Sequence, residues 1–334
     1  MNTQVFIIFS FFFFLSCSQL PHNKTPFHCH EERAALDMGS GSTKVIIAKV
    51  DRCKKEILSV IKEKNFPFKY KESLHLHKNT IPETMLNSVS EELNLFLSPF
   101  RKSGTQISAV ATEVFRQASN GGAFVQSLSK RVNFPITIID QKKEATLGFW
   151  GAVGLTQKPK DDIVVWDIGG GSMQITTLIG NTPHTYLGKL ASVSFKNRII
   201  HYQGRQRGSP NPIGHHTAKW AENLAKKIAS VDVPEEIRDA ISHKEVIGIG
   251  GVHYFSIREQ LQKPINSPYS SFDLKKTINQ RANWKDHKFQ GNYKETEISN
   301  LILVKAFYDA LNMKGVLPQK VNLATGVLLD DDLW

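Results

Sequence analysis

The chain's 334 residues are 40% hydrophobic and 22% charged, the profile of a soluble globular protein able to bury cores, and at this length two domains are expected. A net charge of +11 and a pI near 9.4 set cationic partners aside and point to an anionic one: a polyphosphate, a nucleotide, a nucleic acid or a membrane surface.

The chain opens on an apolar run, Val5 to Leu15, followed by Ser16-Cys17. The run is too short to span a bilayer and suits a signal-peptide core, so residues 1–17 are expected to direct export to the periplasm or cell envelope. An uncleaved anchor and a cytoplasmic chain are the alternatives. Ser16 before Cys17 also suits a bacterial lipoprotein site with Cys17 acylated, although no Lys or Arg precedes the run and Phe14 stands where an aliphatic residue is usual. Residues 18–32 are polar and proline-containing, as a tether is, and order is expected from Ala34.

Strands are expected at "AALDM" and "KVIIAKV", around a Gly/Ser turn near Gly41, and at "EILSVIKEK". Cys29 and Cys53 flank this hairpin roughly opposite each other, as a disulfide or as two unrelated thiols. His28-Cys29-His30 has no second ligand pair at zinc spacing and is set aside as a metal site. "PETMLNSVSEELNLFLSPF" has helical spacing with Pro82 at its start. Strand "ISAVAT", helix "GGAFVQSLSKRV", strand "PITIID", helix "KEATLGFWGAVGL" and a polar break at 156–162 follow.

The second half repeats the theme. Strands "IVVWDI" and "MQITTLIG" surround a glycine turn, and "TPHTYLG" comes next. Helices are expected near 190–203, 217–230 and 234–242, then strand "KEVIGIG", helices near 252–262, 273–283 and 295–312, and a closing "VNLATGVLL". This order implies an α/β protein of two related lobes, 33–160 and 161–334, whose C-terminal segment has the option of returning to the first lobe. No further helical hydrolase domain is expected after it.

Laid over one another, "LDMGSGSTKVIIAKV" (36–50) and "WDIGGGSMQITTLIG" (166–180) match without a gap. Asp37 falls on Asp167, Gly39 on Gly169, Ser40-Gly41-Ser42 on Gly170-Gly171-Ser172, and Lys44 on Gln174. One such turn alone could be a plain hairpin. Two in register point to phosphate, because glycines let backbone N–H groups line a concave site and the serines add donors. An aspartate beside a phosphate is repelled unless a cation lies between them, so Asp37 and Asp167 are expected to hold a divalent metal. Lys44 can neutralise a phosphate, and Gln174 can orient a water.

The paired loops resemble those of the actin/Hsp70/sugar-kinase superfamily. "ATEVFRQASN" and "IIDQKKEATL" resemble the segment linking those loops in the exopolyphosphatase/guanosine pentaphosphate phosphohydrolase (Ppx/GppA) family, which reads roughly A-T-x-x-x-R-x-A-x-N, a strand, then I-S-G-x-E-E-A-x-L. With the weaker "VIGIGGVHYFSI", the similarity runs from about residue 34 to 260 and loosely to the C-terminus. It implies a two-lobe, actin-like (ribonuclease H-like) α/β fold with the active site in the interlobe cleft. It also implies a Mg2+-dependent hydrolase that removes the terminal phosphate of inorganic polyphosphate. Glu144 falls on the family's general base and Lys143 on the glutamate before it; Arg116 matches a family arginine suited to phosphate. Three departures stand out: Gln174 for the usual Glu, Gly41 for Asn, and Val252 for Thr.

Gln174 also fits a rival. "DIGGGSMQI" and "EATLGFW" are similar to segments of apyrases, exported nucleoside di- and triphosphate hydrolases of the same fold. A guanosine pentaphosphate phosphohydrolase is a further alternative, and a polyphosphate- or nucleotide-binding relative without turnover is the non-enzymatic one. No Asp or Glu lies between Asp167 and Glu222, whereas Lys189, Lys196, Arg198, Arg205, Arg207 and Lys219 do. That run suits either a channel for a long polyanion or a solvated basic face. No nucleic-acid-binding motif is found, membrane contact is expected only through a lipid anchor, and a homodimer is an open option.

Overall fold

Two five-stranded sheets of identical topology organise the computed structural model, which describes residues 29–334 apart from 207 and 291–292. The expected signal peptide, Cys17, most of the tether and Arg207 lie outside the described residues. In the first sheet, β1 (His30–Met38), β2 (Thr43–Asp51), β3 (Glu56–Phe66), β4 (Gln106–Ala111) and β5 (Ile136–Ile138) run in the order β3-β2-β1-β4-β5. In the second, β6 (Ile163–Ile168), β7 (Met173–Ile179), β8 (Thr182–Gly188), β9 (Glu245–Ile249) and β10 (Val316–Pro318) run β10-β9-β6-β7-β8. Each sheet opens as an antiparallel meander, and its fourth strand joins its first in parallel.

Strand β1 starts at His30, four residues before the expected Ala34, because His30 to Arg33 pair with Ala48 to Asp51 of β2. Of the two readings of Cys29 and Cys53, the structure takes the disulfide, which closes the open end of this hairpin. Buried Arg33 is held by the Leu328 carbonyl at 2.7 Å and by Asp331 at 3.0 Å, so the start of β1 is anchored to the far end of the chain.

Helices α1 (Tyr70–Leu76), α2 (Glu83–Lys102), α3 (Glu113–Gln117) and α4 (Gly121–Val132) belong to the first lobe. Leu86, Val89 and Leu93 of α2 and Phe124 and Leu128 of α4 cover one face of its sheet, packing on Leu36, Met38 and Ala109. In the second lobe, α6 (Ser192–Tyr202), α7 (His215–Asp232), α8 (Glu235–His243), α10 (Ser271–Arg281) and α11 (Glu297–Ala310) bury Val164, Trp166 and Ile168 of β6. The expected helix near 252–262 is a π-helical turn (Val252–Ile257) that runs into α9 (Arg258–Gln260).

Helix α5 (Gln141–Thr156) lies between the sheets. Leu147 packs on Ala35, Ile46 and Val110 of the first sheet, while Phe149 and Ala152 pack on Ile163, Val165 and Ile247 of the second. A helix covered on both sides must be apolar all round, which is why "KEATLGFWGAVGL" shows no polar stripe. Helix α12 (Leu323–Leu329) returns from the second lobe to cover the same face of the first sheet, with Val327 and Leu328 in one cluster with Ala35 and Ile46. It crosses α5 at glycines: a Cβ on Gly151 would lie 2.9 Å from Gly326 N, and one on Gly326 would collide with the Leu147 carbonyl.

Candidate active site

The two Gly/Ser turns are built alike. Gly39 N–H donates to Ser42 O at 3.0 Å, and Gly169 N–H to Ser172 O at 2.9 Å. The second turn is also tied to the first turn of α6, where Ser192 and Val193 N–H donate to the carbonyls of Gly169 and Gly170 at 3.2 and 2.9 Å. In the first turn, Ser40 O accepts from Lys71 N–H at 2.9 Å. A trans peptide points its N–H opposite to its C=O, so the N–H groups of Gly41, Gly170 and Gly171 are turned away from these anchors. Among the described residues, the N–H groups of Gly41, Ser42, Gly171 and Ser172 have no turn or loop partner. A row of unpaired N–H groups is an anion site, and the α6 N-terminus adds positive potential behind the second one.

Glu113 of α3 shows that the turns face each other. Its Oε2 accepts from Ser40 Oγ of the first turn at 3.1 Å, and a Cβ on Gly171 of the second would collide with the same carboxylate. The gap between the loop tips is thus one carboxylate wide.

Asp37 and Lys44 are cross-strand partners in the first lobe, as Asp167 and Gln174 are in the second. Lys44 Nζ donates to Asp37 Oδ2 at 3.1 Å, while Asp37 Oδ1 is buried without a partner. Burial pushes the Asp167 carboxyl up to about 6, with Lys44 drawing it down and Asp37 pushing it further up. Lys44 itself is raised: burial acts against its charge, and Asp37 and Asp167 outweigh it. Gly250, at φ +82°, lets the backbone after β9 lie against Asp167, where a side chain would collide with Oδ1. Two shielded carboxylates, one of them with an unpaired buried oxygen, form an oxygen donor set that fits a hard divalent cation.

Glu144 sits in the first turn of α5, whose N-cap Asp140 accepts from Lys143 N–H at 2.7 Å. It is 4% exposed. Arg116 Nη1 lies 2.6 Å from Glu144 Oε1 and also donates to the Ile139 carbonyl. Ser172 Oγ and Gln174 Nε2 each stand 3.4 Å from Glu144 Oε2, and Gln174 Nε2 donates to Ser172 Oγ at 3.1 Å. Burial pushes Glu144 up to about 7 against the pull of Arg116, and Asp37 and Asp167 push it the same way. A carboxylate titrating near neutrality beside an amide and a hydroxyl can accept a proton from a water held there.

Asp37, Lys44, Arg116, Glu144, Asp167, Gln174 and both loops therefore share one cleft. Arg116 differs in detail from the expectation of a phosphate ligand, since its Nη1 is engaged by Glu144 and Ile139. Lys143 points elsewhere, with Nζ 2.5 Å from Asp330 Oδ2. Sequence reasoning missed Glu113, Lys71 and Tyr293, whose hydroxyl lies 3.8 Å from a Cβ built on Gly41. Glu113 was within reach, being one helical turn before Arg116 in "ATEVFR"; Lys71 and Tyr293 are brought in by the fold and carry no local signal. Lys189, Arg198, Arg205 and Lys219 are exposed, and Arg198 stands on the helix that anchors the second loop.

Residues 46–330 match the profile of the Ppx/GppA phosphatase family. A Haemophilus influenzae protein named "Putative exopolyphosphatase" is 29% identical over 189 residues, 54% of this chain and 57% of that protein. The guanosine-5'-triphosphate,3'-diphosphate pyrophosphatase of Pseudoalteromonas atlantica is 27% identical over 241 residues, 70% of this chain and 41% of that protein. The chain thus spans about half the length of these curated relatives. The crystal structure of an Aquifex aeolicus Ppx/GppA protein superposes with a TM-score of 0.74 at 17% identity, covering 91% of this chain and 98% of that one. The expected two-lobe, actin-like fold is the fold observed.

Proposed function

This chain belongs to the Ppx/GppA phosphatase family, and from that premise we propose that it hydrolyses phosphoanhydrides, releasing the terminal phosphate of inorganic polyphosphate with Glu144 as general base. The observation that carries the reading is the meeting of Glu144 Oε2 with Ser172 Oγ and Gln174 Nε2 beside two facing anion loops. Glu144 takes a proton from a water that Gln174 and Ser172 orient. The water oxygen bonds to the terminal phosphorus as the bridging P–O bond breaks in line, and the shortened chain leaves with the electron pair. Arg116 holds Glu144 in place and, being cationic, favours its ionised form. The unpaired N–H groups of Ser42, Gly41, Gly171 and Ser172 hold the phosphate oxygens, and Lys44 offsets their charge. Asp37 and Asp167 would hold Mg2+, which would neutralise phosphate charge when bound.

The exposed Lys189, Arg198, Arg205 and Lys219, in the acid-free stretch that follows the second loop in the chain, support a long polyanion as substrate. The Cys29–Cys53 disulfide supports an oxidising, extracytoplasmic location and hence export. A second reading, apyrase-like hydrolysis of nucleoside di- and triphosphates, is favoured by Gln174 at the position beside the base. Phosphate release with Mg2+ from long-chain polyphosphate, ATP, GDP and guanosine pentaphosphate separates these. Release from polyphosphate, abolished by Glu144→Gln, supports the main reading, and release from nucleotides alone supports the second. Binding without release from any of them would overturn both.

A further inference from the structure

The cleft contains one acid that the proposed reaction does not use. Glu113 accepts from Ser40 Oγ at 3.1 Å, from Lys71 Nζ at 3.1 Å through both oxygens, and from Gln117 Nε2 at 2.5 Å. On its far side it lies against Gly171, where no side chain has room beside it. The Lys71 and Glu113 side chains are 24% and 14% exposed, so solvent screens the pair only in part. Neither loop needs this acid for its shape, since each closes on its own backbone hydrogen bond and is anchored by Lys71 N–H or by α6. What Glu113 does have is the character of a ligand: an anionic O–C–O group between Ser40 of one loop and Gly171 of the other, with a lysine and a serine directed at it.

We propose that Glu113 is an internal competitor for the phosphate subsite between the loops, and that Lys71 is a further phosphate-binding residue. A phosphate entering this gap takes over the Ser40 hydroxyl and the Lys71 ammonium that Glu113 otherwise holds. Because Glu113 is tethered, it competes at a high effective concentration that does not vary with conditions. A single orthophosphate gains little beyond what it must displace, whereas a chain bearing several charges also engages Lys44 and the second loop. Glu113 therefore widens the gap in affinity between chain substrate and orthophosphate product, a specificity device that works by competition. The inference rests on the reading that the cleft takes a polyphosphate.

Calorimetric titration with Mg2+ present, in a Glu144→Gln parent whose turnover is slowed by the loss of its base, tests it with tripolyphosphate and with inorganic phosphate as probes. Glu113→Gln is expected to tighten orthophosphate binding by about 10-fold and tripolyphosphate binding by about 3-fold. Lys71→Met is expected to weaken both by about 5-fold or more, and in its background Glu113→Gln should have a smaller effect. Should the parent bind tripolyphosphate while Glu113→Gln leaves both affinities unchanged or weaker, Glu113 is a structural prop and the inference is overturned with the functional reading intact. A parent that binds neither probe overturns the functional reading itself. If Glu113→Gln does not fold, Lys71→Met decides alone, and an unchanged affinity overturns the inference.

Discussion

Arg116 and Glu144 form a 2.6 Å ion pair in which the acid is still pushed up to about 7, so burial outweighs an adjacent guanidinium. The arginine thus sets where the carboxylate titrates as well as where it points.

That balance fixes a pH dependence. A general base works ionised, so kcat/KM, which follows the free enzyme, should rise with pH through about 7 and level off above it. Arg116→Met removes the group that draws Glu144 down, and the acidic limb should move to higher pH. Glu144→Gln should lower kcat by about 10²- to 10⁴-fold with the fold kept, as circular dichroism would report. A profile that does not move in Arg116→Met would count against Glu144 as the titrating base.

Asp167 offers a stability test. Its folded pKa of about 6 lies above the ordinary 3.8, so folding favours the protonated form. The metal-free protein should therefore lose stability as pH rises from about 4 to about 6, and the penalty should persist above that window. Asp167→Asn removes it. In EDTA at pH 8 this variant should melt about 2 °C or more above the wild type, corresponding to about 1–3 kcal/mol, while losing activity. Added Mg2+ should raise the Tm of the wild type and not of the variant.

Gln174 is buried against Glu144 Oε2, so Gln174→Glu brings two carboxylates together. Like charges at that range raise each other's pKa, and the acidic limb of kcat/KM should shift up by about one unit at low metal. With an added acid near Asp37 and Asp167, half-saturation by Mg2+ should fall by about 5-fold or more. Initial rates over a grid of pH and Mg2+ measure both, and metal half-saturation that does not fall would detach Gln174 from the metal site.

The glycine crossing of α5 and α12 gives a prediction at a distance. Gly326→Ala puts a methyl group into the Leu147 carbonyl and should cost about 1–3 kcal/mol, read as a fall in Tm. Leu147 lies one turn beyond Glu144, so kcat should fall as well. A variant destabilised as expected but fully active would show that the site tolerates movement of α5.

How much of this was legible follows from what each feature depends on. The loops and their aspartates could be read because the repeat is local and self-aligning, with Asp37 over Asp167 and Gly39 over Gly169. Glu144 was found only through a family resemblance, since one acid among lysines carries little pattern of its own. The pairing of Cys29 with Cys53 stayed open because the register of β1 on β2, which sets them side by side, is a tertiary fact. The competitor role of Glu113 depends on Ser40, Lys71 and Gly171 arriving from three separate segments, and no spacing encodes that. Strand β10 and helices α1 and α3 are too short to leave a periodic signature.

Helix α12 has a consequence for how the molecule is made. Residues 323–329 cover a face of the sheet that begins at His30, so the first lobe to leave the ribosome is among the last parts to be completed. Until those residues emerge, Ala35, Ile46 and Val110 have Leu147 of α5 on that side without Val327 and Leu328 beside it. The first sheet's packing on this face is therefore completed by residues that follow the whole second sheet in the chain, so the two lobes are finished together rather than one after the other.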